Sequence, residues 1–253
     1  MAKIGIVDSG CGGLSVYREI LKVLPNSSYI YYADNANCPY GEKSPQFIIG
    51  RMNEICSLLI SKGAAVIVVA CNTATSAAIA SLRESFPIPF VGMEPAVKPA
   101  ALGTRSGVIG VLATEGTLKG SKYLHNKELY EDEVQILEHA GLGFVELVER
   151  GVLCGSEAES VVRSSLAPLL EAGADTIVLG CTHYPFLLPV MQKVAAELTP
   201  NPVRFIDPSP AVARRLVDVL RAEHIEPEDP RPGLELLCSG SGEVALRLLG
   251  QLA

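Results

Sequence analysis

Ala65-Val66-Ile67-Val68-Val69-Ala70-Cys71-Asn72-Thr73 (65–73) is a run of six apolar residues that stops abruptly at a cysteine and two hydrogen-bonding side chains. It is too short for a helix, rich in β-branched residues and does not alternate with polar ones. That pattern describes a strand buried on both faces, as in a parallel sheet. Lys3–Val7 and Ser28–Ala33 read the same way. Between these runs lie Gly13–Leu24 and Pro45–Ser61, with apolar residues at helical spacing. In the second, Ile48, Met52, Ile55 and Leu59 fall at steps of four, three and four and form one core stripe, with Pro45 suited to the first turn. Strands alternating with helices of this length predict βαβ units and an α/β fold.

The alternation continues through Pro89–Gly92, Gly107–Leu112, Glu133–Glu138, Thr176–Leu179, Val203–Ile206 and Leu234–Leu237. An imperfect repeat runs through it. Ile4-Gly5-Ile6-Val7-Asp8-Ser9 can be laid over Ile109-Gly110-Val111-Leu112-Ala113-Thr114, and Val68-Val69-Ala70-Cys71-Asn72-Thr73 over Val178-Leu179-Gly180-Cys181-Thr182-His183. Ser9 and Cys71 are 62 positions apart, Thr114 and Cys181 67. Each half thus ends one strand in a hydroxyl and another in a cysteine. The expected architecture is two pseudo-symmetric α/β lobes with mostly parallel sheets and the active site in the cleft between them. Met93–Pro99 and Ile206–Pro210 each contain two prolines and are the candidate crossings. They give a first lobe of 1–93 plus 207–253 and a second of 94–206.

The 253 residues are 48% hydrophobic and 19% charged, enough for a large core. Lys plus Arg number 21 against 28 Asp plus Glu, a net charge of −7 that weighs against a basic nucleic-acid groove or a polybasic membrane surface. Mean hydropathy is +0.29, yet the longest apolar stretch, Ala64–Cys71, falls far short of the roughly 18 residues a membrane span needs. Met1-Ala2-Lys3-Ile4-Gly5 leads directly into strand pattern without signal-peptide architecture. Seven cysteines, an odd number in a core-rich chain, are expected to be free thiols in a cytoplasmic protein.

In open α/β sheets ligands bind beyond the carboxyl ends of the strands. Asp8-Ser9-Gly10-Cys11-Gly12-Gly13, Cys71-Asn72-Thr73, Thr114-Glu115-Gly116-Thr117 and Cys181-Thr182-His183-Tyr184-Pro185 sit there, and Pro39-Tyr40-Gly41 follows the second strand. The glycine turn lets backbone N–H groups approach an anion, but it is neither GxGxxG nor a loop ending in Lys-Ser/Thr, so it suits a small carboxylate better than a nucleotide. Cys71 and Cys181 each follow an apolar strand and precede a helix start, where Thr73 or Thr182 would cap and where a thiolate is favoured. A lone strand-end cysteine is ordinary packing; two at equivalent positions, each beside polar partners, point to chemistry. Two rivals stay open. A zinc site wants Cys-x-x-Cys or His-x₃-His spacings, which are not found. A Cys–His acyl-transfer site would use Cys181 and His183, for which no third, orienting residue is evident.

Taken together, Asp8-Ser9-Gly10-x-Gly12-Gly13, Pro39-Tyr40-Gly41, Ala70-Cys71-Asn72-Thr73-Ala74 and Gly180-Cys181-Thr182-His183-Tyr184-Pro185 resemble the glutamate racemase family of the cofactor-independent aspartate/glutamate racemase superfamily. Thr114-x-x-Thr117 and Glu149 are weaker matches. The resemblance implies a racemase that uses neither metal nor pyridoxal phosphate and converts L-glutamate to D-glutamate for peptidoglycan, and so for cell-wall biogenesis and cell shape. It implies glutamate as the partner and allows a homodimer. Cys71 would be the base toward D-glutamate and Cys181 the base toward L-glutamate, assisted by Asp8 and His183. Asp8, Ser9, Pro39, Tyr40, Gly41, Asn72, Thr73, Thr114, Thr117, Glu149, Thr182 and His183 would bind substrate. Many relatives carry Arg just before Pro-Tyr-Gly, where this chain has Asn37-Cys38.

Overall fold

The computed structural model describes residues 2–227 and 229–251. Positions 1, 228, 252 and 253, which the expected lobe ranges include, lie outside them. The chain separates into two compact units, one built from Met1–Met93 with Ser209–Ala253 and the other from Glu94–Pro208.

The first unit runs β1 Lys3–Asp8, α1 Leu14–Val23, β2 Tyr29–Ala33, α2 Pro45–Ser61, β3 Ala64–Val69, α3 Asn72–Ser85 and β4 Phe90–Gly92. The second runs α4 Val97–Ala101, β5 Val108–Ala113, α5 Glu115–Leu118, α6 Ser121–Glu128, β6 Gln135–Ala140, α7 Phe144–Glu149, α8 Ser156–Glu171, β7 Thr176–Gly180, α9 Leu188–Leu198 and β8 Arg204–Ile206. The chain then re-enters the first unit with α10 Ser209–Ala222, β9 Leu234–Cys238 and α11 Glu243–Leu249.

Among the described residues the strands form two parallel sheets, ordered β4-β3-β1-β2-β9 and β6-β5-β7-β8. The repeat has a topological counterpart. In each unit the first strand lies between the second and the third, with the fourth beside the third, and β9 extends only the first sheet. This is the order of a doubly wound sheet, whose direction of winding reverses at the first strand and opens a crevice beyond its carboxyl end. β1 and β3 end side by side there, as do β5 and β7.

Burial follows the sequence pattern. β2 and β7 are buried along their whole length and β1 along all but its first residue. The α2 stripe of Ile48, Met52, Ile55 and Leu59 is at most 2% exposed; each such side chain contributes about 1.5–3 kcal/mol by leaving water. Ser44 caps α2 through its hydroxyl, which accepts the Phe47 N–H, and Pro45 occupies the first turn. β6 begins two residues later than the apolar run suggests, at Gln135 rather than Glu133, because Glu133 and Val134 still close the preceding turn, both N–H groups donating to the Tyr130 carbonyl at 3.0 Å. None of the described helices is long and apolar enough to cross a membrane.

Candidate active site

In the first unit the site begins with a close approach of backbones. A Cβ on Gly13 would sit 2.7 Å from Asp8 Cβ, 2.7 Å from the Tyr31 hydroxyl and 3.0 Å from Ala70 Cβ, so only glycine fits. Tyr31 donates to the Gly10 carbonyl at 3.1 Å and the Gly10 N–H donates to Asp8 Oδ2 at 3.0 Å. The glycine turn is therefore engaged by the protein's own carboxylate. Its role here is to seat Asp8, buried at the end of β1, rather than to offer the Gly10 N–H to an anion.

Cys71 follows β3 and is itself the cap of α3. Its sulfur accepts the Ala74 N–H at 3.4 Å, and its thiol donates to Ser9 Oγ at 3.5 Å. The expected cap, Thr73, lies inside the helix instead. A sulfur that receives a helix N-terminal N–H gains stabilisation as a thiolate from that bond and from the helix dipole. Beside it, Asn72 is buried, and neither its Oδ1 nor its Nδ2 has a hydrogen-bond partner among the described residues. A buried amide with no partner costs about 1–3 kcal/mol per unsatisfied group, so its retention calls for an explanation, and a polar ligand supplies one.

Pro39-Tyr40-Gly41 follows β2. The Cys38–Pro39 peptide is cis, and Tyr40–Glu42 form a 3₁₀ turn. The Tyr40 hydroxyl is buried and donates to Asp34 Oδ2 at 2.6 Å, so its proton is already committed. Burial pushes its pKa far above the ordinary value, and the Asp34 bond and charge and the neighbouring Cys71 add to the shift.

The second unit arranges the same strand ends differently. A Cβ on Gly180 would meet Ala113 Cβ at 2.7 Å and the Leu112 carbonyl at 2.9 Å. β5 and β7 therefore close tightly just before Thr114 and Cys181. Thr114 caps α5, its Oγ1 3.4 Å from the Thr117 N–H and 3.0 Å from Thr117 Oγ1. Cys181 does not cap an α-helix: Thr182 lies in a turn, and His183 precedes the 3₁₀ turn Tyr184–Leu187. Instead Cys181 Sγ lies 3.7 Å from His183 Nδ1, and His183 Nε2 lies 2.6 Å from Glu149 Oε1. With Glu149 ionised, Nε2 carries the proton it shares, which leaves Nδ1 to exchange a proton with the sulfur.

Glu149, expected among the substrate contacts, also holds His183 in orientation, a third member beside Cys181 and His183 that has no local sequence signal. It is the last residue of α7, whose start is fixed by Tyr184. That tyrosine is fully buried, donates to the Gly141 carbonyl at 3.4 Å and stacks edge-on against Phe144, ring centroids 4.9 Å apart. Burial drives the Tyr184 phenol well above its ordinary pKa, with the Cys181 charge adding to the rise.

The other cysteines separate from these two. Cys11 and Cys56 are fully buried, and burial raises the Cys56 thiol to about 12. Cys154 is exposed, Cys38 and Cys238 are half-buried, and Cys238 ends β9.

A doubly wound unit repeated along the chain, with a strand-end thiol in each copy, is the plan of a racemase class. The model of the Asp/Glu/hydantoin racemase family matches residues 4–216. A glutamate racemase of Pseudomonas putida strain F1 is 45% identical over 249 residues, covering 98% of this chain and 92% of the relative. One of Pseudomonas aeruginosa strain PAO1 is 50% identical over 222 residues, covering 87% and 82%. Among solved structures, Escherichia coli glutamate racemase in complex with L-glutamate and the activator UDP-MurNAc-Ala superposes with a TM-score of 0.87 at 36% identity, covering 100% of this chain and 95% of that one. The Francisella tularensis glutamate racemase in complex with D-glutamate gives 0.82 at 26%, covering 98% and 94%. The chain belongs to the Asp/Glu/hydantoin racemase family, among its glutamate racemases.

Proposed function

We propose that the chain interconverts L- and D-glutamate by a cofactor-independent transfer of the α-proton between two thiols. For L-glutamate, Cys181 as thiolate takes the α-proton. The electron pair of the broken C–H bond is left on the α-carbon and spreads into the α-carboxylate. The Cys71 thiol then gives its proton to the opposite face, producing D-glutamate and a Cys71 thiolate. From D-glutamate the two exchange roles. Residues 1–93 with 207–253 and 94–206 are the lobes that each contribute one thiol in this reading.

The observation that carries it is that each strand-end thiol has its own hydrogen-bonding partners: Cys71 the helix N-terminus and Ser9, and Cys181 His183, which Glu149 holds in turn. Such partners set which sulfur is thiolate at the start of each turnover. Thiolate alone is too weak a base for a proton beside a carboxylate, so donors that stabilise the developing charge are required. Asp8, Ser9, Pro39, Tyr40, Gly41, Asn72, Thr73, Thr114, Thr117, Glu149, Thr182 and His183 are assigned to the substrate, and the unsatisfied amide of Asn72 supports this most directly. Tyr40 contributes through its ring and its turn, its hydroxyl being held by Asp34.

An acyl-transfer enzyme built on Cys181–His183–Glu149 is the competing reading of the second unit alone. Family membership and the matching thiol of the first unit favour proton transfer. A cytoplasmic homodimer that supplies D-glutamate to peptidoglycan completes the proposal. The test is α-proton exchange and loss of optical rotation in deuterated water with wild type, Cys71→Ser and Cys181→Ser. Wild type racemises glutamate, and not aspartate or hydantoins, while both variants lose racemisation. Unimpaired racemisation in either variant would show the two-base assignment to be wrong.

A further inference from the structure

Asp34 is a carboxylate at 0% exposure, the residue after β2, and no step above uses it. Its N–H donates to the Asp8 carbonyl at 3.0 Å, so it stands beside Asp8 at the carboxyl edge of the sheet. A buried carboxylate persists only when its charge is compensated and its lone pairs are filled. Arg51, from the middle of α2, does this with a two-pronged contact: Nε donates to Oδ2 at 2.9 Å and Nη2 to Oδ1 at 2.8 Å. Asn37 Nδ2 lies 3.1 Å from both oxygens. The Tyr40 hydroxyl donates to Oδ2 at 2.6 Å.

Arg51 is fixed in turn. Nη2 also donates to the Tyr32 hydroxyl at 2.9 Å, Nη1 to Glu54 at 2.9 Å, and the guanidinium lies 5.9 Å from the centre of the Tyr32 ring.

We infer that Asp34 and Arg51 are positioning residues, which pin the Tyr40 phenol and with it the Pro39-Tyr40-Gly41 turn at the Cys71 end of the site. The inference rests on the proposed function and assigns this pair a part in holding the amino acid. The electrostatics agree. Burial pushes the Asp34 carboxyl up, but the bonds from Arg51, Tyr40, Ser239 and Asn37 together outweigh it and keep Asp34 ionised. Tyr40 remains protonated and aimed at Asp34, a neutral wall close enough to Cys71 to feel its charge. Freed of that bond, the phenol would have a donor to offer the thiolate or the substrate in competition with the productive geometry.

Tyr40→Phe removes one hydrogen bond and leaves the Asp34–Arg51 pair intact. Arg51→Lys keeps the charge but loses the two-pronged contact, and Arg51→Met removes both. Steady-state kinetics in both directions should show KM rising about 3- to 10-fold in Tyr40→Phe and Arg51→Met, the range expected for one net hydrogen bond. kcat should fall by less than KM rises, and Arg51→Lys should recover part of the loss.

Where Arg51→Met fails to fold, Tyr40→Phe still decides the matter. KM unchanged in both Tyr40→Phe and Arg51→Lys overturns the inference, as does a fall in kcat with KM constant. A wild type that does not racemise glutamate overturns the functional reading and this inference with it. An active wild type with kinetically silent variants overturns this inference alone.

Discussion

The Cys71 end of the first unit and the Cys181 end of the second place a thiol at the same point of the same topology, yet surround it differently. Cys71 caps a fourteen-residue helix and is steadied by a backbone N–H and a hydroxyl group. Cys181 has no α-helix directly behind it and relies on a titratable side chain in line with its sulfur, His183, oriented by Glu149. A dipole and a hydrogen bond bias a thiol's protonation without exchanging the proton, whereas an imidazole can take it and return it. If both thiols serve one α-carbon, the enzyme manages two equivalent protons by two unequal means. Reversible racemisation requires kcat/KM to be equal in the two directions because its equilibrium constant is unity. Any kinetic difference between the two ends is therefore confined to kcat, KM and isotope effects taken separately.

The largest effects test whether the two ends are equivalent at all. Cys71→Ala and Cys181→Ala should each lower racemisation by about 10²–10⁴-fold, the usual contribution of a positioned acid or base. Proton wash-out into deuterated water would then survive for opposite enantiomers, D-glutamate in Cys181→Ala and L-glutamate in Cys71→Ala. Survival for the same enantiomer in both variants would refute the assignment of faces. Next in size come the partners. Asp8→Asn and His183→Gln should each reduce kcat by about 10²-fold. The isotope effect with α-deuterated substrate should grow for D-glutamate in the first and for L-glutamate in the second. Glu149→Gln should imitate His183→Gln at about a tenth of its size, since it changes the orientation of the ring and not the ring itself. An equal isotope effect for both enantiomers in all three variants would erase the distinction between the two ends.

This distinction was only partly legible in the amino-acid sequence. The strands, the α2 stripe and both cysteines could be read because burial on both faces forces apolar runs and because ligands collect at strand ends. The repeat could be read because both units reuse one strand order. The bond from His183 to Glu149 has no local signature, because the two are 34 residues apart and the link is made by Tyr184 fixing α7, a tertiary event. Arg51 was invisible for a similar reason. It sits on α2 beside Met52 of the core stripe, where a charged residue ordinarily marks the solvated face, and its partner Asp34 is 17 residues back. Asp34 directly follows β2 as Ser9 follows β1, so its position at a strand end is the signal the sequence carries for it. Residue type points to Thr73 and Thr182 as caps, but at Cys71 the sulfur takes the N–H and at Cys181 a 3₁₀ turn replaces the helix.

The glycines offer a smaller test. Gly13→Ala places a methyl against three side-chain atoms, Asp8 Cβ, the Tyr31 hydroxyl and Ala70 Cβ, and Gly180→Ala places one against Ala113 Cβ and the backbone carbonyl of Leu112. Overpacking of this kind costs about 1–3 kcal/mol. Gly180→Ala should be the more costly, because a paired strand cannot retreat as a side chain can. Urea midpoints rank the two. The opposite order would mean that the glycine turn, not the β5–β7 contact, is the stiffer support of a thiol.

The smallest effect separates a carboxylate that serves the site from one that serves the fold. Asp175 lies just before β7, at the opposite end of the second sheet from Cys181. Its Oδ1 accepts from Thr104 Oγ1 at 2.6 Å and Thr176 Oγ1 at 2.9 Å, and its Oδ2 accepts from the N–H groups of Arg105 at 2.7 Å and Ser106 at 2.8 Å. Burial raises its pKa, but these four bonds outweigh burial and lower it from 3.8 to about 2. A depressed carboxylate stabilises the fold above its unfolded pKa, and that stability is lost as the pH falls through the folded one. The gap in urea midpoint between wild type and Asp175→Asn should therefore be constant at neutral pH and close between about pH 4 and pH 2. Asp175→Asn should leave KM and kcat unchanged at pH 7, whereas Asp34→Asn, whose carboxylate holds Tyr40, should raise KM. A shift of KM in Asp175→Asn would mean that the two ends of the second sheet are coupled and that the site extends beyond its carboxyl edge.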